Sequence, residues 1–306
     1  MEKIAVLIPC YNEAQTIGKV VDDFKKELPD AAIVVYDNNS TDDTAEIARE
    51  HGASVRREPL QGKGNVIRSM FRNVDADIYV MTDGDDTYPA ERVHQLIAPV
   101  RSGDAEMVVG DRLSNGSYEE ENKRSFHHFG NRLVLGLINR FFHTELHDIM
   151  SGYRAFSRSF VKNIPINSTG FEIETEMTLH AVDKKIPLME VPITYRDRPV
   201  GSYSKLNTFS DGFHVVKTIF WVFKDYRPLA FFSAVALLFF VLALLAGLPV
   251  IVEFVKTAYI TKVPSAILAV GLMLISIMSL FIGFMLDTIV KQHRESFEIG
   301  LKQNNG

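Results

Sequence analysis

The chain has 306 residues, a net charge of −5 and a single cysteine, Cys10. That length holds one sizeable domain and something more. The mildly acidic balance excludes broad nucleic-acid binding, which needs a basic surface, and a lone cysteine excludes an internal disulfide.

The first half alternates between strand and helix periods. Residues 4–8 are an apolar strand that Pro9 closes, too short for the core of a signal peptide. Residues 13–28 put Ile17, Val20, Val21, Phe24 and Leu28 on one helical face. A strand follows over 32–36, then a short helix over 42–51 that Thr41 or Asp42 would cap. Residues 54–57 read as a weaker strand and 65–72 as a helix after Gly62 and Gly64. The pattern continues with a strand at 78–82, a helix at 90–101 and a strand at 107–109. Such alternation predicts a mostly parallel sheet covered by helices, with ligands at the carboxyl ends of the strands. The polar clusters fall at those ends: Tyr11-Asn12-Glu13, Asp37-Asn38-Asn39-Ser40 and Asp83-Gly84-Asp85-Asp86. Beyond residue 110 the pattern loosens. A polar, mobile loop is expected over 113–123, helices over 125–142 and 171–182, and a strand over 188–195.

The C-terminal part is different in kind. Residues 229–252 and 263–286 are two 24-residue runs without a charge. At ~1.5 Å per residue each is long enough to cross a hydrocarbon core of ~30 Å. The link at 253–262 is short, so the two runs form a hairpin. Lys217, Lys224 and Arg227 precede it and Lys291, Arg294 and Lys302 follow it, against Lys256 and Lys262 in the link, which places both termini in the cytoplasm. Just before the first run, Phe209, Phe213, Val216, Phe220 and Phe223 recur at helical spacing, the pattern of an amphipathic helix lying in a membrane interface. The organisation read from the sequence is therefore a domain at 1–206, an amphipathic helix at 207–227, two membrane spans within 228–290 and a tail at 291–306.

The strongest chemical signal is Asp83-Gly84-Asp85-Asp86, where an apolar strand runs straight into carboxylates. Like charges this close repel and call for a counter-charge. Hard oxygen donors suit Mg²⁺ or Mn²⁺, which in turn bridge to a diphosphate. In order, Ile8-Pro9-Cys10-Tyr11-Asn12-Glu13, Val34 to Thr44 and the 83–86 cluster resemble the motifs of glycosyltransferase family 2. Over the soluble part and the two C-terminal spans the chain is most similar to polyprenyl-phosphate glycosyltransferases. These include dolichyl-phosphate mannose synthases and bacterial enzymes that load a sugar on undecaprenyl phosphate.

The resemblance implies an α/β, Rossmann-like nucleotide-sugar-binding domain of the GT-A type. It implies that Pro9, Tyr11, Glu13, Asp37 and Asn38 border the nucleotide, although the family's usual pattern has a second Asp where this chain has Asn38. Lys63 is a candidate for the nucleotide or its phosphates. Asp83 and Asp85 would hold the nucleotide and the metal. Asp148-Ile149-Met150-Ser151-Gly152-Tyr153-Arg154 resembles the family's acceptor-side stretch, with Asp148 orienting substrates beside the reacting carbon. Arg196, Arg198, Ser204 and Lys205 match an Arg-x-Arg…Gly-x-Ser-Lys element, and with Arg154 they would bind the acceptor phosphate. Arg112, Arg124 and Asn131 are further acceptor-side candidates. The implied reaction is inverting transfer from a nucleotide sugar, UDP-glucose or UDP-N-acetylglucosamine, to polyprenyl phosphate by a membrane homo-oligomer. A GDP-mannose-dependent synthase and a non-catalytic nucleotide-sugar-binding membrane module are the alternatives. A processive polysaccharide synthase fits poorly, because the sole tryptophan, Trp221, lies outside any Gln-x-x-Arg-Trp pattern.

Overall fold

The apolar residues of β1 (Ile4–Cys10) point alternately to two sides, and each side is covered by helices. Val6 and Ile8 pack with Ile17, Val20, Val21 and Phe24 of α1 (Ile17–Glu27) and with Val93, Leu96 and Ile97 of α4 (Val93–Ser102). Ala5 and Leu7 pack with Val66, Ile67, Met70 and Phe71 of α3 (Lys63–Asn73) and with Ile173 and Met177 of α7 (Ile173–Asp183). The result is a sheet between two helical layers. Each fully buried Val, Leu, Ile or Phe contributes about 1.5–3 kcal/mol. The computed structural model describes residues 2–114, 125–170, 172–196, 220–221 and 223–304. Most of the expected loop at 113–123, Arg124, Arg198, Ser204, Lys205 and most of the aromatic stretch at 207–226 lie outside the described residues.

Among the described residues the sheet has seven strands, in the order β3 (Ser54–Arg57), β2 (Ala32–Asp37), β1, β4 (Ile78–Met81), β6 (Arg154–Ser157), β5 (Met107–Asp111) and β7 (Leu188–Pro192). β2, β3 and β4 run parallel to β1. So does the parallel pair β5 and β7, paired Val109 to Glu190. β6 lies antiparallel between β4 and β5, pairing Arg154 with both Met81 and Val109. The sequence pattern did not reveal this strand. It is four residues long and buried on both faces, so it shows no alternation. Its direction matters for function. An antiparallel strand begins where its parallel neighbours end, so the 148–153 segment enters at the carboxyl edge, beside the ends of β4 and β5.

Among the described residues this unit also holds α2 (Thr44–Glu50), α5 (Ser125–Phe142), α6 (Arg158–Asn163) and a short 3-10 turn at Ala90–Arg92. The expected helix at 42–51 begins two residues later. The Asp42 carboxylate accepts from Thr44 N and Thr44 Oγ1 in the preceding turn instead of capping the helix conventionally.

Two close approaches depend on glycine. A methyl on Gly62 would sit 2.2 Å from the Thr169 carbonyl oxygen, and one on Gly64 would sit 2.1 Å from that of Ser168. With Gly64 N donating to Thr169 O at 3.0 Å, they press the start of α3 against the 168–169 backbone.

The second unit, residues 214–306, holds α8 (Pro228–Thr257) and α9 (Val263–Asn304). Both helices are long and apolar enough to cross a membrane, and they contain the two uncharged runs. They pack on each other through small residues. Ser276 Oγ donates to the Ala236 carbonyl at 2.7 Å, and Gly247 faces Ala269. Such contacts suit apolar surroundings, where close packing rather than water drives helix association.

Gly64→Ala should lower the stability of the first unit by about 1–3 kcal/mol, the cost of overpacking. Chemical denaturation of the full chain in detergent measures it; an unchanged midpoint would contradict the close approach.

Candidate active site at the carboxyl edge of the sheet

Three loops at the strand ends each turn through a left-handed residue: Asn12 (φ 54), Asn39 (φ 64) and Asp86 (φ 57). Asn and Asp tolerate this region better than other non-glycine residues. The first two are sewn together by their own polar atoms. Asn12 N donates to Ser40 Oγ at 2.9 Å, Thr41 N to Asn12 Oδ1 at 2.8 Å and Glu13 N to Thr44 Oγ1 at 2.8 Å. Pro9 and Glu13 are half-buried and Tyr11 is 36% exposed at this edge, while Asp37 lies almost buried and receives Ser40 N.

Asn38 has a different task from the one its resemblance implied. Its side chain is buried and donates to the carbonyls of Glu58 and Leu60, at 2.9 and 2.8 Å. Its oxygen accepts from Gly62 N at 2.7 Å and from Gln61 Nε2 at 3.2 Å. A carboxylate has no donor for the two carbonyls, so the amide is what holds the 58–62 loop.

Lys63 begins α3 and turns inward. Its Nζ lies 2.6 Å from Asp83 Oδ1 and 2.5 Å from Glu174 Oε1, with only a tenth of the side chain exposed. Burial opposes the ammonium charge, but the two carboxylates override it and hold the lysine above its ordinary value. Asp83 also lies against Gly152, where a methyl would come within 2.8 Å of Asp83 Oδ2. Asp85 is buried and accepts from Thr87 Oγ1 at 2.6 Å. The Thr87 carbonyl in turn accepts from Arg196 N at 3.0 Å. One threonine thus joins the loop carrying Asp85 to the segment carrying Arg196. The Arg196 guanidinium pairs with Glu91 and lies 3.9 Å from Asp86, which also receives Lys19 at 2.7 Å.

Asp148 sits at the entrance to β6, fully buried. Its carboxylate takes Arg112 Nε at 2.7 Å, Arg112 Nη2 at 2.9 Å, Arg112 N at 3.2 Å and Met150 N at 3.1 Å. Burial alone would raise this carboxyl. The Arg112 charge and these hydrogen bonds hold it below the usual carboxylate range. The Arg112 guanidinium stacks 5.5 Å from the Tyr195 ring, and Tyr88 Oη accepts from Gly152 N at 2.9 Å. Arg154, expected on the acceptor side, is instead wholly buried. It donates to the carbonyls of Ser151 and Ile149 and to Thr178 Oγ1, and burial pulls it down to about 10. It braces the 148–153 loop from inside.

Sequence reasoning missed Thr87, Tyr88, Glu174 and Glu190. Glu190 had a signal, an acid inside the apolar run Leu188-Met189-Glu190-Val191. It approaches Asp111 and His147, with one ligand atom from each of the three within 4.8 Å of the others. The Asp111 carboxylate accepts from Leu113 N, Ser114 N and Ser114 Oγ, and Glu190 from His147 and Asp148, so each acid fastens its own loop to a strand.

A mixed sheet whose carboxyl edge gathers acids beside basic residues defines a GT-A-like glycosyltransferase domain. The glucosyl-3-phosphoglycerate synthase of Mycobacterium tuberculosis shares this fold, with a TM-score of 0.53 and 24% identity over 65% of this chain and 73% of that one. The chain belongs to glycosyl transferase family 2, whose model matches residues 5–164. It is 32% identical to glycosyltransferase AglJ of Haloferax volcanii over 97% of both chains. It is 31% identical to the dolichyl-phosphate hexose transferase of the same organism, over 74% of this chain and 96% of that one.

The lowered Asp148 value has a consequence with a definite sign. The Arg112–Asp148 pair contributes stability that is full above the ordinary carboxyl value of 3.8 and is lost as pH falls through the lower folded value. Arg112→Met leaves a buried carboxylate unpaired. It should cost about 3–5 kcal/mol at neutral pH, and because burial without the Arg112 charge raises the carboxyl, that cost should shrink as pH falls and Asp148 takes up a proton. Denaturation midpoints across a pH series test both.

Proposed function

We propose that this chain transfers a sugar, with inversion, from a nucleotide sugar to a polyprenyl phosphate such as undecaprenyl phosphate at the cytoplasmic face of a membrane. The observation that carries this reading is the junction at Thr87, which puts Asp85 and Arg196 at one strand-end loop. A donor-side acid and an acceptor-side cation joined through one loop are what such a transfer needs. The dolichyl-phosphate acceptor in the name of one relative and the two apolar helices support a lipid acceptor. Resemblance to the bacterial enzymes favours UDP-glucose or UDP-N-acetylglucosamine as donor.

In this mechanism the loops of Pro9–Glu13 and Asp37 border the nucleotide. Asp83 and Asp85 offer hard oxygen donors, with Lys63 already seated as a cation on Asp83 Oδ1. Mg²⁺ or Mn²⁺ bound by these two would supply offsetting charge for the leaving diphosphate. The acceptor is a phosphate monoester with a second pKa of ~6, so it is largely dianionic at neutral pH and needs no strong base. Asp148, fully paired with Arg112, suits orientation better than proton removal. Arg112 and Arg196, joined by Arg198, Ser204 and Lys205, would offset repulsion between acceptor phosphate and donor diphosphate, guanidinium forks matching phosphate oxygens in pairs.

The test uses the purified full chain in detergent with polyprenyl phosphate, Mg²⁺ or Mn²⁺ and a panel of UDP- and GDP-sugars. A lipid-phosphate hexose detected by mass with a UDP-sugar is expected. Product from GDP-mannose alone would change the donor, and no product from any donor would remove the transferase reading. Asp85→Asn should lower kcat by about 10²–10³-fold, the scale of losing one preorganised electrostatic contact, with membrane insertion unchanged. Near-normal turnover would refute the role given to Asp85.

A further inference from the structure

Glu190 lies in the middle of β7, in register with Val109 of β5, and only about a tenth of its side chain is exposed. A carboxylate buried this far in a sheet needs partners, and here they are all in one short loop. Oε1 accepts from His147 N at 3.0 Å and from Asp148 N at 2.9 Å. Oε2 accepts from His147 N at 2.9 Å and lies 2.9 Å from His147 Nδ1. One side chain therefore holds two consecutive backbone N–H groups, with charge-assisted bonds that are stronger than neutral ones. The second of these N–H groups belongs to Asp148, whose carboxylate grips Arg112 with two oxygens. The chain of contacts runs from β7 through Glu190, the 147–148 backbone and Asp148 to the guanidinium of Arg112.

We propose that Glu190 is a positioning residue. By clamping the backbone of His147 and Asp148 to β7, it sets the angle at which Asp148 presents Arg112 to the acceptor phosphate. The inference rests on the acceptor-side reading of Asp148 and Arg112 given above. It explains why a carboxylate stands in a strand that is otherwise apolar. It also gives the Asp111–His147–Glu190 cluster a task that needs no bound ion.

The experiment compares wild type with Glu190→Met and Glu190→Gln, in the full chain with polyprenyl phosphate and the donor that the panel identifies. Methionine keeps the length and volume but accepts no backbone hydrogen bond, whereas glutamine keeps one oxygen for Asp148 N. Misplacing a binding group by about 1 Å costs up to ~10²-fold in rate. Glu190→Met should therefore lower kcat/KM for the lipid phosphate by about 10- to 100-fold. UDP affinity, read by calorimetry, should stay within about twofold of wild type on the same scale of effects. Glu190→Gln should recover part of the loss, and Glu190→Met should cause little further loss in an Arg112→Lys background. Should Glu190→Met fail to fold, Glu190→Gln carries the same comparison. Unchanged acceptor kinetics in the folded variant would overturn the proposal. So would acceptor and UDP losses of equal size, or a stoichiometric Mn²⁺ site abolished by His147→Ala with the kinetics unaffected. A wild-type chain that makes no lipid-linked sugar would overturn it together with the transferase reading, whereas a normal wild type beside an unimpaired variant would overturn this inference alone.

Discussion

The direction of β6 is the constraint on which the candidate site depends. β4 and β5 both deliver their C-terminal residues to one edge of the sheet, Asp83 after β4 and Asp111 and Arg112 at the end of β5. A parallel strand between them would have carried the 148–153 loop to the opposite edge. Running the other way, β6 starts at this edge, so Asp148 reaches Arg112, and Gly152 reaches both Asp83 and Tyr88. The cost of the arrangement is a buried guanidinium at the first residue of the strand. Arg154 is satisfied by two carbonyls and a hydroxyl rather than by a carboxylate. Those bonds stiffen the loop from behind, since breaking any of them would strand a buried charge with fewer partners.

Charge in the cleft is balanced pair by pair. Lys63 is shared between Asp83 and Glu174, Arg112 is held by Asp148, and Lys19 and Arg196 gather on Asp86 and Glu91. Among the described residues, the cations a doubly charged anion would meet here are already paired. The anion must compete with carboxylates already seated on them, and that competition lowers affinity for anions arriving without a compensating cation. The same logic favours a diphosphate accompanied by a divalent ion. In the proposed mechanism, Asp83 and Asp85 would hold such an ion, and the charge it supplied would leave more of the Lys63 charge for the phosphate.

The α/β alternation, the positions of most strands and helices, the two apolar C-terminal runs and the acidic strand end were all legible in the sequence. Each is written in local periodicity or composition. What was not legible is what depends on contacts distant in sequence. β6 has no pattern of its own. Asn38 was expected at the nucleotide from the resemblance, yet the partners of its side chain lie about twenty residues downstream. Arg154 was expected at the acceptor phosphate from the resemblance of the 148–154 stretch; the helix that takes its side chain is α7, whose Thr178 no local rule connects to it. Lys63 stands between two glycines and was expected at the nucleotide or its phosphates. Those glycines serve the 168–169 backbone, however, and its partner Glu174 was hidden among three alternating glutamates.

The state of Asp148 bears on which acceptor the site suits. A sugar hydroxyl has to lose its proton as it attacks, and a base for that step needs a free lone pair and a pKa near the working pH. Asp148 has neither: it is buried, held below the ordinary carboxylate range and engaged by four donors from Arg112 and Met150. A phosphate monoester arrives already ionised, so the difficulty moves from removing a proton to bringing two anions together. Guanidinium groups fixed in direction meet that difficulty best, because a charge that does not have to reorganise is worth more at the moment of reaction. An arginine locked by a carboxylate that is itself locked to the sheet is a group of that kind.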